Sequence, residues 1–355
     1  MVQSPTMPLR IGVIGTGWAE RVQIPALKAG GLTIAAVASR DPKRAREVAS
    51  RHDLDFFTGN WHELLDRCEL LMITSPPACH LEQTSTALAA GLHVICEKPL
   101  GLTGDEAEIM VRGASQRPNQ LALVDHELRF TPVRQKAREL LGSGVIGKVL
   151  VITARVATDA RMDPTSPWNW WSEAAQGGGI LNAIGSHILD GIAWLLPDLG
   201  PIEPRGATLG RIYPTRRDGL GTNRTVTADD IASVTFAMGD AVGTMLVHGA
   251  SLDGPVDLLT LRGTEGTIVI DRSLKLYLSK RGSDLKEYRV KLPTVVPNRF
   301  RASAYAAGTV LFGSALRRWS KDGDPSHLEP AATLADGARV QQLLSRIRNL
   351  ASSPR

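Results

Sequence analysis

Glu97-Lys98-Pro99 closes an apolar run, His93-Val94-Ile95-Cys96, that reads as a buried strand. A charged pair leaving such a strand is costly unless it works there. Partial burial of a lysine pulls its titration towards neutrality, which makes it a ready proton donor or a polarising cation. The second stretch with chemistry in its spacing is Gly15-Thr16-Gly17-Trp18-Ala19-Glu20. Its first glycine permits a tight turn, and its second lets the backbone approach a pyrophosphate at the N-terminus of the next helix. Glu20 takes the third place of that fingerprint, where a small residue ordinarily allows close packing of helix on strand. Glycine-x-glycine strings are common, but this one follows a strand and opens a helix, which is the context the motif requires. Together the two stretches point to a nicotinamide dinucleotide, held by Gly15, Thr16, Gly17, Trp18 and Ala19, with Lys98 beside it. Taken alone, the tripeptide is equally a surface lysine followed by a turn-forming proline.

The second strand ends in Ser39-Arg40. An NAD site usually places an acidic side chain here for the ribose 2′-hydroxyl, whereas a serine and an arginine suit a 2′-phosphate. Arg40 offers a planar fork for that phosphate, and Arg44, one turn into the following helix, can assist. NADP is therefore favoured over NAD. Asp41 is more simply the cap of that helix, with Pro42 in its first position.

Several elements must position these groups. Strand-like runs at Arg10–Ile14, Leu32–Ala38, Glu69–Thr74, His93–Cys96 and Leu121–Asp125 alternate with helical stretches, among them Ala19–Ala29, Leu81–Ala90 and one opened by the capping box Thr103-x-x-Glu106. Such alternation predicts a doubly wound parallel sheet with helices on both faces. The turn at Ser75-Pro76-Pro77, with His80 in the first turn of the helix after it, is placed near the cofactor. Beyond residue 127 the pattern changes. A helix at Thr131–Leu141 leads to strand-like runs at 148–158, 231–237, 241–249, 257–262, 267–270 and 275–279, largely without helices between them, so an antiparallel sheet is expected. A helical insert is expected at Gly185–Leu195 and a closing helix around Asp336–Leu350, and part of Gly200–Thr227, rich in Gly, Pro and Thr, is expected as an exposed loop. The fold class expected is an α/β Rossmann domain, 1–126, followed by an α+β domain, 127–355, with a large, mostly antiparallel open sheet.

Composition excludes other classes. The chain has 355 residues, 43% hydrophobic and 22% charged, enough for two domains with sizeable cores. No apolar run approaches the about 18 residues of a membrane span. Met1–Leu9 lacks the basic-then-apolar pattern of a secretory signal. The three cysteines, Cys68, Cys79 and Cys96, cannot all pair and match no zinc spacing, so they read as reduced thiols in a cytoplasmic protein. The net charge of +5 is mild, with scattered basic residues and no basic stripe for nucleic acid.

The glycine turn, Ser75–Leu100, His126–Val149, Gly177–His187, Asp229–Met245 and Gly263–Ile270 together resemble the glucose–fructose oxidoreductase / inositol dehydrogenase / MocA (Gfo/Idh/MocA) family, in that family's order and over nearly the whole chain. The resemblance implies hydride transfer between NAD(P) and a hydroxyl or carbonyl carbon, often of a sugar or cyclitol. It implies that Lys98 is the catalytic lysine, that Glu97 belongs to the cofactor site, and that the Lys98–Pro99 peptide is cis. It places His187 near the reacting hydroxyl, and it implies a homo-oligomer, dimer or tetramer, formed through the open sheet. Relatives often carry an aspartate four residues before that histidine, where this chain has Ala183. Asn182, adjacent, is a neutral amide and no carboxylate base. Asp190, one helical turn beyond His187, is the group placed to orient it.

On the substrate side, Trp168, Trp170 and Trp171 crowd one short segment of a chain with seven tryptophans in all. Indole rings suit the apolar faces of sugars, and they equally pack loops onto sheets. Gly177-Gly178-Gly179 signals a close backbone approach to a ligand or a strand. Asn182 is a candidate for substrate hydroxyls, and Arg129 for cofactor, substrate or the domain junction. The expected activity is an NAD(P)-dependent oxidoreductase acting on a sugar, cyclitol or related cyclic substrate. Two rivals stay open. One is an enzyme whose bound NAD(P) drives net non-redox elimination, hydrolysis or epimerisation. The other is a non-catalytic ligand sensor.

Overall fold

Parallel pairing starts where the sequence is most continuously apolar, since a strand covered on both faces needs no alternation. The structure is a computed structural model in which residues 9–352 are described. The signal-peptide expectation for Met1–Leu9 falls, Leu9 excepted, outside the described residues. Strands β1 (Arg10–Ile14), β2 (Thr33–Ala38), β3 (Phe56–Thr58), β4 (Leu70–Ile73), β5 (His93–Cys96) and β6 (Ala122–Val124) pair parallel in the order β3-β2-β1-β4-β5-β6. The order reverses direction between β1 and β4, the switch point outside which doubly wound sheets bind ligands. The helix expected from Ala19 is a π-helical turn, Ala19–Gln23, that runs into α1 (Ile24–Ala29). Asp41 caps α2 (Pro42–His52) as expected, accepting from the Lys43 N–H at 3.0 Å. Helices α3 (His80–Ala89) and α4 (Gly104–Ser115) complete the alternation.

The chain divides into two compact units. In the second, α5 (Pro132–Gly142) precedes β7 (Val149–Ala157), a π-helical turn (Leu181–Gly185) leads into α6 (Ser186–Leu195), and β8 (Ile202–Gly210) follows. The hairpin of β9 (Thr215–Arg217) and β10 (Asn223–Thr225) stands apart from the large sheet. Next come β11 (Ile231–Met238), β12 (Ala241–His248), β13 (Val256–Gly263), β14 (Gly266–Asp271), β15 (Leu276–Lys280) and β16 (Lys286–Tyr288). The eight-stranded sheet has the order β16-β15-β14-β13-β7-β12-β11-β8, antiparallel throughout except for β7 beside β12. The segment Gly200–Thr227, part of which was expected as exposed loop, also holds β8, which pairs with β11 along its whole length. As the edge strand it tolerates Pro204 and its glycines, and those residues hide it from a sequence pattern. One face of the sheet packs on α6. The other exposes Val151, Val242, Leu246 and Leu258 on neighbouring strands, with Val242 64% exposed.

The expected cut after residue 126 differs from the structure because the chain comes back. Leu292–Ala338 belongs to the first unit, with the chain up to Gly101 and Asp105–Thr131. It carries α7 (Ala304–Asp322), then β17 (Ala332–Thr333), which adds antiparallel to β6 at the sheet edge. Helix α8 (Leu334–Ser352) follows, its residues from Arg339 counting with the second unit. Helices α1 and α7 cross closely, since a Cβ on Gly30 would lie 2.8 Å from the Ser314 nitrogen and the Val310 carbonyl. Phe312, Leu316 and Trp319 of α7 share one core cluster with Ile24, Leu27 and Phe130. Trp319 is 1% exposed. We expect Trp319→Ala to destabilise the protein by about 3–5 kcal/mol, read as a lower denaturant midpoint in equilibrium unfolding.

Candidate active site

At the switch point the backbone itself makes the room. Gly15 has φ +113°, and a Cβ there would fall 2.5 Å from Thr74 Oγ1 and 2.7 Å from the Thr74 carbonyl. Its N–H donates to the Ala38 carbonyl at 2.8 Å, so β1, β2 and β4 converge on this one residue. Gly17 has nothing within 4 Å of where a Cβ would stand. That open space over the turn is the cradle a pyrophosphate requires, so the residues present fit a dinucleotide. Thr16 lies between the two glycines. Trp18 is exposed beside it, edge-on to Tyr305 at 6.4 Å between ring centroids, while Ala19 is fully buried and supports the turn from beneath.

Glu20, the odd third residue of the fingerprint, is buried and forms ion pairs with Arg44 and Arg51 of α2. A carboxylate at a position built for a small side chain is tolerated because two guanidinium groups neutralise it. Arg44 also meets Glu47 at 3.1 Å. Its guanidinium is thus shared between two carboxylates. Arg40 is exposed at the end of β2, and Ser39 Oγ accepts from the Asp41 N–H at 3.3 Å.

Lys98 follows β5, and the Lys98–Pro99 peptide is cis as expected. Its N–H donates to Glu97 Oε2 at 3.0 Å. Gln23, from the π-helical turn, donates to Glu97 Oε1 at 2.5 Å and to Asp125 Oδ2 at 2.9 Å. Burial pushes Glu97 up from the ordinary carboxylate range, opposed by the charge of Lys98. Burial also pushes Asp125 up to about 8, with the charge of Glu97 adding to the effect. Glu127 is held well above the ordinary range, by burial first and by Asp125 and Glu97 next. The sequence offered no pattern for Gln23, Asp125 or Glu127. A carboxylate directly after the apolar run of β6 was the one available signal.

His80, expected beside the cofactor turn, holds that turn to its surroundings. It is wholly buried, with Nδ1 3.0 Å from the Pro99 carbonyl and Nε2 2.8 Å from the Ser75 carbonyl. The ring stands between the Ser75-Pro76 turn and the loop after Lys98, and its neutral form donates its single N–H to one of the two carbonyls. Burial lowers its pKa to about 4, against those carbonyl contacts. Ser75 Oγ donates to Gln83 Oε1 at 2.6 Å, which fixes the turn from the other side, with Pro76 half-buried on it. Arg129 is buried and pairs with Asp336 at 3.5 Å, in the same unit. That carboxylate also accepts the Thr333 N–H at 2.8 Å, so Arg129 anchors the entry to α8.

In the second unit, His187 and Asp190 both lie buried on α6, one turn apart. Asp229 sets that helix. Its Oδ2 accepts the Leu181 N–H at 2.7 Å, its carbonyl accepts the Ile180 N–H at 2.8 Å, and Arg348 approaches Oδ1 at 3.4 Å. Gly179, with φ +103°, is required because a Cβ would sit 2.5 Å from Asp229 Oδ1. A Cβ on Gly178 would meet the Trp171 carbonyl at 2.5 Å. The glycine triplet therefore serves backbone packing. Asn182 is buried, donates to the Gly177 carbonyl at 2.9 Å, and its Oδ1 meets no donor among the described residues. Trp168 donates to the Thr225 carbonyl at 3.0 Å beneath Arg224, and Trp171 lies beneath Arg161 at 5.0 Å. Arg161 in turn pairs with Asp230 at 2.7 Å. An arginine lies over each ring, so both tryptophans bind their segment to its surroundings.

Residues 9–126 match the family described as oxidoreductase family, NAD-binding Rossmann fold, and residues 134–269 match the GFO/IDH/MocA C-terminal domain. The chain belongs to the Gfo/Idh/MocA family. It is similar to an uncharacterized oxidoreductase of Synechocystis sp., 36% identical over 280 residues, covering 76% of this chain and 73% of that protein. A levoglucosan dehydrogenase of Pseudarthrobacter phenanthrenivorans is 29% identical over 258 residues, covering 66% and 64%. Among solved structures, a levoglucosan dehydrogenase in complex with NADH and levoglucosan superposes with TM-score 0.82 at 22% identity, over 97% of both chains. The Gfo/Idh/MocA fold is thus shared from end to end. Among the described residues, no helix is long and apolar enough to cross a membrane.

Proposed function

We propose that this Gfo/Idh/MocA protein is a nicotinamide-dependent dehydrogenase of a polyhydroxylated cyclic alcohol, a sugar, anhydrosugar or cyclitol, with NADP(H) preferred. The observation that carries the proposal is a half-buried lysine at the carboxyl end of β5. Its backbone N–H donates to a Glu97 carboxylate that Gln23 also holds, in the same sheet whose switch point leaves Gly17 open. A bound nicotinamide supplies the hydride acceptor or donor. Lys98 polarises the reacting oxygen. His187 takes or returns the hydroxyl proton, oriented by Asp190 in place of the aspartate that Ala183 replaces. Asn182, with an acceptor oxygen left over, hydrogen-bonds a substrate hydroxyl. The relative named levoglucosan dehydrogenase supports the substrate class.

Nicotinamide reduction across a panel of sugars, anhydrosugars and cyclitols tests the activity. At least one member is expected to turn over, and Lys98→Ala is expected to lower kcat/KM by about 10²–10⁴-fold. Substrate consumed with no net change in nicotinamide absorbance would replace this reading with the non-redox one.

Cofactor choice rests on Ser39 and Arg40, with Arg44 occupied by Glu20 and Glu47. Arg40→Ala is expected to weaken NADPH binding about tenfold or more, the worth of a charge-assisted hydrogen bond, and to leave NADH binding unchanged. Equal loss for both dinucleotides, measured by fluorescence titration, would remove the phosphate site.

The exposed apolar face of the large sheet supports assembly of two or four copies. Val242→Arg is expected to lower the sedimenting mass at equal concentration. An unaltered mass would place any interface elsewhere.

A further inference from the structure

Three carboxyl groups, Glu97, Asp125 and Glu127, and one ammonium, Lys98, are gathered in the first unit where little water reaches. Asp125 is 1% exposed and Gln23 is 0% exposed. Facing the Asp125 carboxyl are Glu97 and Lys98 from the end of β5, the buried Cys96 thiol within β5, Glu127 on the adjoining turn, and the amide of Gln23. Helix α7 faces Glu127 with Gly308, where a Cβ would lie 2.6 Å from the Glu127 carbonyl. Three ionised carboxylates around one ammonium would leave excess negative charge in a low dielectric, so part of the group must stay protonated.

The hydrogen bonds say which part. Glu97 accepts from both Gln23 and the Lys98 N–H, so it is the carboxylate built to be ionised. Asp125 accepts one bond on Oδ2, and its Oδ1 meets no donor among the described residues. Gln23 Oε1 is likewise without a donor there. A buried carboxylate oxygen with no donor is costly when charged and far less so when it carries a proton.

We propose that Asp125 is a proton-holding positioning residue for Lys98: it stays neutral behind the Glu97–Lys98 pair at neutral pH and, on releasing its proton, adds a second negative charge that holds the ammonium. The cluster thus tightens its hold on Lys98 in the alkaline range. The functional part rests on the proposed role of Lys98 in hydride transfer. The proton-holding part does not.

The test is an infrared titration of the full-length protein, read in the carboxylic-acid C=O band, with no substrate needed. Wild type is expected to show a protonated buried carboxyl at neutral pH with a midpoint near about 8. Asp125→Asn should remove that component, and Asp125→Glu should restore it. Lys98→Met removes the facing cation and should raise the midpoint by about one unit, a tenfold change in proton affinity. A carboxyl already ionised at pH 6, or a midpoint unmoved in Lys98→Met, would overturn the proposal. The Lys98→Met arm reads wild-type Asp125, so it decides the matter even if Asp125→Asn fails to fold. With any substrate found in the panel, Asp125→Asn should erase a limb near pH 8 from the kcat/KM profile. A purely structural residue would lower the profile without reshaping it.

Discussion

One side-chain amide joins the parts of the first unit that matter. Gln23 stands on the turn that follows the glycine loop, and its two N–H groups reach the carboxylates at the ends of β5 and β6. A π-helical turn at Ala19–Gln23 carries it, and such turns re-aim a side chain that a regular helix would point elsewhere. Because Glu97 also takes the Lys98 backbone N–H, the dinucleotide loop and the backbone at Lys98 are referenced to the same buried amide. Movement of either would leave a buried carboxylate without its donor, which costs more than the hydrogen bond is worth when intact.

The second unit solves the parallel problem with charge. Its helix α6 is entered through another π-helical turn, and Asp229 satisfies the backbone N–H groups that such an entry exposes. Asp230, the next residue, reaches the other way to Arg161 and so steadies the tryptophan segment. Adjacent acids at the start of β11 therefore brace two structures at once, on opposite sides of their strand.

Much of this was legible in the residues. The strands of the parallel sheet are short apolar runs bounded by turn residues, and β5 begins and ends where the pattern puts it. Glycines at 15 and 17, the Asp41 cap and the alternation of α and β carry local signals that tertiary context does not override. What escaped notice lacked such signals. Helix α7 is dense in Ala and Gly, and its role is set by a partner, α1, far away in the chain. Strand β17 has only two residues. The ion pair of Arg44 with Glu20 was not foreseen, since a departure from a motif does not announce what the replacing side chain will bind. His80 was read as a structural histidine on the turn near the cofactor, and only three dimensions show both nitrogens facing carbonyl oxygens.

The late return of α7 and β17 to the first unit bears on how the chain matures. When the ribosome has made the parallel strands, the face of α1 that Phe312 and Leu316 will cover is bare, and β6 is an open edge. Exposed apolar surface and unpaired edges invite association with other chains. The nucleotide-binding half, first to be synthesised, is therefore among the last to be closed, and its completion waits on residues made after the whole large sheet.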